Sequence, residues 1–264
     1  MKRIDRAVAI LVVAMGLVVP LMSCNGQQAQ GVMGIFGMGL RHVQINDRIV
    51  SPVRSDGIAF ALSLGAEYEI NASRHALWLR GGFGELANRY DLPVVAFDLR
   101  IGYGYLRRIV AEADGSWSLH GGATLSWGTA VQFYSLLDES HLYWMTATEL
   151  GVKGSSTWRM GDRARLAVDL GLPISALVSR PPEERYYNND QPNPSAILDL
   201  VHSRSRLSGP LDYSGFDIAA SYSFDLSDRL VEEIQYRGSY RWSASPVAAE
   251  FLDNTLCLSL RYRF

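Results

Sequence analysis

Apolar and polar residues alternate strictly along much of this chain. In GIAFALSLGAEYEI, residues 57–70, large apolar side chains occupy one face of a strand and small or acidic ones the other. VVAFDLRIGYGY (94–105), ARLAVDLGLPI (164–174) and the C-terminal LCLSLRYRF (256–264) repeat the pattern. Because side chains in a strand point alternately to two faces, these segments predict strands with one apolar and one polar face.

The same pattern along the rest of the chain predicts about ten strands, with boundaries good to ~2–4 residues. Connections of two lengths separate them: those at 71–74, 111–115, 160–162 and 225–229 are short, and most of the others are longer. Short turns at one rim and long loops at the other indicate an all-β, antiparallel up-and-down transmembrane β-barrel, within a range of eight to twelve strands. The predicted strands are residues 33–43, 57–70, 75–85, 94–109, 116–128, 142–157, 163–174, 213–224, 230–243 and 253–264.

Aromatic residues fall at two levels of this predicted barrel, as expected of the two interfaces of a membrane. Trp78 departs from the pattern. Its parity places it with Arg80 on the polar face, where it either plugs the lumen or indicates an error of register. The aromatic residues near the long-loop rim are Trp127, Trp144 and Trp242, and those near the short-turn rim are Tyr68, Tyr105, Trp117, Trp158, Phe224 and Phe264.

The N-terminus differs from the rest of the chain. Lys2, Arg3 and Arg6 precede an apolar run that ends at Met22, which is the layout of an export signal. The run is short and Pro20 interrupts it, which favours an export signal over a retained membrane anchor. The predicted organisation is an export signal at 1–24, a short linker at 25–32 and the barrel at 33–264.

Leu21-Met22-Ser23-Cys24 resembles the lipobox of bacterial lipoproteins, and this resemblance implies acylation of Cys24. In the alternative, Cys24 leaves with a signal that is cleaved between residues 25 and 30. Neither outcome gives Cys257 a partner. The two cysteines therefore predict neither a structural disulfide nor a zinc site.

Composition narrows the class of protein further. The 264 residues carry a formal net charge of −2, 20% are charged, and the mean hydropathy is +0.00. These values fit neither a disordered chain nor a helical membrane protein. There is no basic excess that would indicate a nucleic-acid partner. No metal-ligand spacing or phosphate-binding loop stands out, so we expect no metal and no cofactor.

The terminal strand places Leu256, Leu258, Leu260, Tyr262 and Phe264 on one face. It resembles the assembly signal of bacterial outer-membrane β-barrels, as an architecture and not as a particular family. The resemblance implies outer-membrane lipid and the barrel-assembly machinery as partners, and the outer membrane of a Gram-negative-type bacterium as the location. The alternative is a soluble sandwich or lipocalin-like barrel, in which the large apolar face would point inward.

If the polar face lines the lumen, charges of both signs meet there. In a narrow barrel they either pair across the interior and fill it, or line a narrow pore with a slight preference for anions. The predicted lumen-lining residues are Arg41, Glu67, Glu69, Arg80, Asp98, Arg100, His120, Glu149, Lys153, Arg165, Asp169, Asp217, Glu233, Arg237, Arg241, Arg261 and Arg263.

The longest predicted connection runs from Ser175 to Asp212. Its polar and aromatic cluster from Arg180 to Asp190 either binds a saccharide or protein partner or folds over the mouth of the barrel as a solvated loop. The predicted function is a non-enzymatic outer-membrane barrel with a structural or adhesive role, or a narrow channel with a charged and largely filled lumen.

The alternative function is an outer-membrane hydrolase of lipid or peptide with an active site at the extracellular rim. His141 lies close in sequence to Asp138, and His202 to Asp199, so an Asp/His pair is conceivable there. The sequence shows no convincing match to the paired acidic and Asp-His segments of omptin proteases. It also lacks the His-x-Ser arrangement of outer-membrane phospholipase and lipid A deacylase, which counts against both families.

Overall fold

The computed structural model describes residues 30–48, 54–88, 90, 93–134, 141–181, 202 and 205–264. The predicted export signal and Cys24 lie outside these ranges, as does most of the segment between 182 and 204. Within the described ranges there is no helix that is long and apolar enough to span a membrane.

Ten long antiparallel strands form the protein, and a three-residue strand, β8, adds to one of them. This confirms the predicted fold class and the number of long strands. The strands are β1 Gln30–Asp47, β2 Ser55–Ile70, β3 Ser73–Asn88, β4 Pro93–Ala111, β5 Trp117–Tyr134, β6 His141–Met160, β7 Ala164–Ser179, β8 Arg206–Ser208, β9 Tyr213–Asp225, β10 Leu230–Ser243 and β11 Ala249–Arg263.

Neighbouring strands pair in chain order, and the first and last long strands close the ring. From β1 to β7 each strand pairs with the next, β7 then pairs with β9, and β10 and β11 complete the wall. The β1–β11 ladder runs from Met33 opposite Arg263 to Asp47 opposite Ala249. A closed barrel leaves no sheet edge unpaired, which is the condition for strands to lie in lipid.

The barrel turns its large apolar side chains outward. Ile58, Leu170 and Leu256 are 67%, 57% and 59% exposed, whereas the neighbouring inward-facing Ala59 and Cys257 are buried. A soluble barrel would show the opposite arrangement, since its apolar face would form the core. The exposed apolar wall is the surface that a membrane would cover.

Towards the long-loop end the two faces of a strand exchange character, so that inward-facing residues become apolar and outward-facing residues become polar. On β1 the inward positions change from Arg41 to Val43 and Ile45, and the outward positions change from Leu40 to His42. Strands therefore continue beyond their predicted ends, β1 to residue 47 and β5 to residue 134. The predicted loops at 44–56 and 129–141 are therefore too long. Each strand was predicted from apolar residues on its outer face, and near the long loops the apolar residues change to its inner face.

The aromatic residues near the short-turn rim face outward, with Trp158 37% and Phe224 39% exposed. At the other rim Trp144 is 1% exposed, so its ring is not available to lipid headgroups. The prediction of two lipid-facing aromatic levels therefore holds at the short-turn rim and is wrong for Trp144.

Candidate functional site

The interior of the barrel is the candidate site, and Glu149 on β6 lies at its centre. Arg241 donates to this carboxylate twice, from Nε to Oε1 at 2.7 Å and from Nη2 to Oε2 at 3.0 Å. Arg100 and Tyr213 donate to the same carboxylate. Glu149 and Arg241 are 7% and 5% exposed. Two guanidinium groups and a phenol thus hold one buried carboxylate, which fits the strength of charge-assisted hydrogen bonds.

Asp217 on β9 extends this network across the lumen. Arg241 Nη2 donates to its Oδ2 at 2.7 Å, and Arg100 Nη1 lies 3.7 Å from its Oδ1. Arg241 Nη1 also donates to the carbonyl oxygen of Phe216 at 3.0 Å. Side chains from β4, β6, β9 and β10 are therefore joined at one level of the barrel.

Two further arginines each bridge a pair of carboxylates from different strands. Arg41 on β1 donates to Asp98 on β4 and, at 2.9 Å, to Asp253 on β11. Arg261 on β11 donates to Glu233 at 2.7 Å and to Glu67 on β2. Each arginine therefore compensates two partly or fully buried negative charges, as burial requires.

Further ion pairs involve other predicted lumen residues. Lys153 Nζ lies 2.8 Å from Asp169 Oδ2 on the neighbouring strand. Near the short-turn rim, Asp225 accepts from Arg165 at 3.2 Å and from Arg263 at 2.9 Å. Arg108 donates to Glu69 at 2.8 Å in the same region.

Apolar side chains fill the barrel interior towards the long loops. Tyr134 and Tyr143 meet edge to face there, with ring centroids 5.7 Å apart. A second buried group, which includes Met145 and Tyr213, continues the filling towards Glu149. The buried group that contains the two tyrosines is called here the apolar cap. Its residues are Val43, Ile45, Ala59, Leu86, Val94, Tyr134 and Tyr143.

Arg180 anchors the start of the long connection after β7 to this end of the barrel. Its Nη2 donates to Asp47 Oδ1 at 2.8 Å, and its Nη1 donates to the carbonyl oxygens of Ser245 and Val247 at 3.1 Å and 2.6 Å. Arg180 is 4% exposed. The prediction that it belongs to a solvated surface cluster is therefore wrong, because it is a buried anchor between three segments of the rim.

Three cavities lie between these layers. One of about 140 Å³ separates the apolar cap from the Glu149 network. A second, of about 150 Å³, lies at mid-barrel, and a third, of about 120 Å³, lies towards the short-turn rim. The second and third share part of their lining, including Trp78, Arg80, Lys153, Gln235 and Arg237.

Trp78 does lie inside the lumen, so its parity does not reflect an error of register. The Arg80 guanidinium lies over its ring, 4.4 Å from the centroid, and that of Arg100 lies 5.8 Å away. Gly102 on β4 leaves space for the indole, because a Cβ atom at that position would overlap the ring. The tryptophan narrows the mid-barrel and supplies a face for a cation.

His120 is 6% exposed on the inner wall, and its Nδ1 has no hydrogen-bond partner among the described residues. Cys257 is also buried inside, with its Sγ 3.8 Å from Ser63 Oγ. No group of three or more potential metal ligands occurs within the described part of the chain.

Most of the hydrolase alternative falls outside the described residues: Asp138, Asp199 and the side chain of His141. His202 is described, and its imidazole stacks on the indole of Trp127 with centroids 5.9 Å apart. Trp127 Nε1 donates to His202 Nε2 at 3.2 Å. The one described histidine of the pair is thus in contact with an aromatic residue of the barrel wall.

Comparison with known proteins identifies the fold of this chain. No family model and no curated protein matches the sequence. Among solved structures, the outer-membrane protease OmpT from Escherichia coli superposes with a TM-score of 0.55 and 6% identity, over 91% of this chain and 99% of that one. The fold is that of an outer-membrane β-barrel. This outer-membrane barrel is also similar to the neisserial surface protein NspA, with a TM-score of 0.41 and 12% identity over 90% of this chain and 100% of that one.

The translocator domain of the autotransporter NalP from Neisseria meningitidis is a further neighbour, with a TM-score of 0.48 and 11% identity over 98% of both chains. At these identities the likeness concerns the fold. The fold shared with OmpT agrees with the resemblance of the terminal strand to bacterial outer-membrane barrels.

Sequence reasoning missed several contributors to the interior of this outer-membrane barrel, among them Tyr213, Asp47 and the carboxylate of Asp253 that binds Arg41. Tyr213 has the same strand parity as Asp217, so counting back along β9 would have found it. Asp47 lies beyond the point at which the polarity of β1 reverses, and no local pattern indicates its pairing with Arg180.

Proposed function

We propose that this protein is a non-enzymatic structural barrel of the outer membrane whose lumen is closed. The proposal selects the structural role from the structural, adhesive and channel roles that the sequence leaves open. The observation that carries it is the Glu149 network, in which side chains from four strands meet across the lumen at one level.

The network favours closure because its charges satisfy one another. A pore-lining residue needs a free polar group for ions or water to use. Here the carboxylate of Glu149 accepts from four side chains, and Arg241 is bound on both sides by Glu149 and Asp217. Removing one partner would leave a buried charge uncompensated, so the network resists opening.

The apolar cap is a second barrier in series. Leu86 and Val94 are 0% exposed, and Tyr134 and Tyr143 pack against each other in the same layer. An ion that passed the charged layer would have to cross this layer, which is lined mainly by apolar side chains, and that is costly. The two layers together support a barrel that separates the two sides of the membrane.

Solute uptake by vesicles tests closure. The full chain, refolded into lipid vesicles and shown to be folded by a heat-dependent gel shift, is expected to take up small sugars and salts no faster than protein-free vesicles. Uptake that increases with the amount of folded protein would overturn the proposal.

The absence of catalysis needs its own test. We expect no turnover of a panel of phospholipids and peptides, and no difference between the unmodified protein and the His141→Ala/His202→Ala variant. Turnover that the double variant loses would instead place a hydrolase at the rim.

A further inference from the structure

Two arginines inside the barrel stand apart from the others. The lumen carboxylates described above are each bound by at least one cationic side chain. Arg80 and Arg237 also face the lumen, yet neither forms an ion pair or hydrogen bond with a carboxylate among the described residues. Arg74 on β3 also lacks a bound carboxylate among the described residues, but it donates to Ser155 Oγ at 2.7 Å.

These two arginines line the same two cavities inside the barrel. Arg80 is on β3 and Arg237 is on β10, and β2, β1 and β11 lie between them in the wall. The wall between them carries small inward-facing residues, such as Gly37, Ser63 and Ser259, which leave room for long side chains.

The remaining contacts of the pair leave donors free. Arg80 rests on the Trp78 ring, which leaves its N–H edge to other partners. Arg237 Nε is buried without a hydrogen-bond partner among the described residues. Buried donors of this kind cost free energy unless an acceptor is present.

Nearby carboxylates do not supply the acceptor that these two arginines lack. Asp217, Asp169 and Asp253 line the same mid-barrel cavity, but they are bound by Arg241 at 2.7 Å, by Lys153 at 2.8 Å and by Arg41 at 2.9 Å, respectively.

The space around the pair is large enough for a small anion, and the carboxylates that also line it, such as Asp98, Asp169 and Glu233, are paired with other cations. Arg80 and Arg237 line both the mid-barrel cavity of about 150 Å³ and the adjoining one of about 120 Å³. Each has room for on the order of ten water molecules. The amide of Gln235 lines both cavities as well. A planar guanidinium offers two parallel donors that match two oxygens of a phosphate or similar oxyanion.

We infer that Arg80 and Arg237 form a binding site for a small tetrahedral oxyanion, phosphate in its free form or as a compact monoester, in the middle of the lumen. The anion bridges the two guanidinium groups and accepts a further hydrogen bond from Gln235. The site is independent of conduction, since a closed barrel and an open one could both hold it.

Calorimetry with inorganic phosphate tests the site in the full, folded chain. The protein is refolded in detergent without phosphate at fixed ionic strength, and a second sample is refolded with phosphate so that entry is not limiting. We expect saturable binding to the first sample, or a raised thermal unfolding midpoint of the second if entry is slow. Arg80→Gln and Arg237→Gln should each weaken binding by about tenfold or more.

Two further variants keep the test decisive. Arg108→Gln removes a rim arginine that pairs with Glu69, and should bind phosphate like the unmodified protein. Gln235→Glu supplies an internal carboxylate, so it should abolish phosphate binding and raise the unfolding midpoint in phosphate-free buffer.

The inference is overturned if folded protein shows neither a heat of binding nor a midpoint shift with phosphate. It is also overturned if Arg80→Gln and Arg237→Gln bind phosphate as tightly as Arg108→Gln. Compact monoesters as competitors distinguish free phosphate from a phosphate ester as the preferred ligand. Solute uptake by vesicles reports on closure separately, so failure of one proposal does not obscure the other.

Discussion

Replacement of Glu149 by glutamine tests whether the ion-pair network stabilises the barrel. The change keeps the size of the side chain and removes the charge that Arg100 and Arg241 share. Breaking a buried pair by removing one partner typically costs 3–5 kcal/mol. Asp217 still binds Arg241 at 2.7 Å in the variant, so we expect the lower end, about 3 kcal/mol of the free energy of unfolding.

Equilibrium unfolding in urea, followed by tryptophan fluorescence in lipid vesicles, measures this loss. With an m-value of about 1–3 kcal/mol/M, a loss of about 3 kcal/mol lowers the midpoint by about 1–3 M. Glu85→Gln is the matched control, because Glu85 is exposed on the outer wall of β3 and should change stability by less than about 0.5 kcal/mol. An unchanged m-value with a Glu149→Gln midpoint equal to that of Glu85→Gln would refute the stabilising role of the network.

Three more outcomes follow from the wall and the interior. Leu170→Arg should lose about 2–4 kcal/mol of folding free energy in lipid, while Leu170→Met should not; equal stability of the two would mean that this face does not meet lipid. Gly102→Ala should lose about 1–3 kcal/mol because the new methyl group overlaps the Trp78 ring, whereas Gly104→Ala, with its nearest atom 3.8 Å away, should not. In a Cys24→Ser variant, Cys257, 1% exposed, should resist charged thiol reagents in the folded barrel and react after heating; rapid labelling of the folded variant would contradict a closed interior.

Strand parity predicted the direction of side chains well. Asp169 and Leu170 are adjacent in sequence, and the structure places the first in the lumen and the second on the outer wall. This works because the period of a strand is fixed by backbone geometry and needs no knowledge of the partner strands. The strand ends were predicted less well, because the inward face changes from polar to apolar at Arg41 and Val43 while the strand itself continues.

The pairing of charges across the lumen could not be read from the sequence. Arg80 and Arg100 are directly opposite each other on β3 and β4 and have the same parity. Arg100 nevertheless reaches Glu149, and Arg80 reaches no carboxylate among the described residues. Which groups share a level depends on the stagger of all the strands around the barrel, and this stagger is a property of the closed sheet, not of any one segment.

The buried pair of Arg180 and Asp47 shows the same limit at the rim. Arg180 begins a stretch rich in proline and charge, and such a composition usually indicates solvent. Arg180 is nevertheless buried, because it donates to the carbonyl oxygens of Ser245 and Val247. These two residues lie in the connection between β10 and β11, which is distant in sequence.

Single-channel recording of the refolded protein in a planar bilayer tests the central claim, a lumen closed by the Glu149 network and the apolar cap. The barrel's folded state is confirmed beforehand by its heat-dependent shift on a gel. The account predicts that folded protein inserts without producing discrete conductance steps. Reproducible steps of uniform size, absent after the protein is heat-unfolded, would contradict it and would show that ions cross the layer at Glu149.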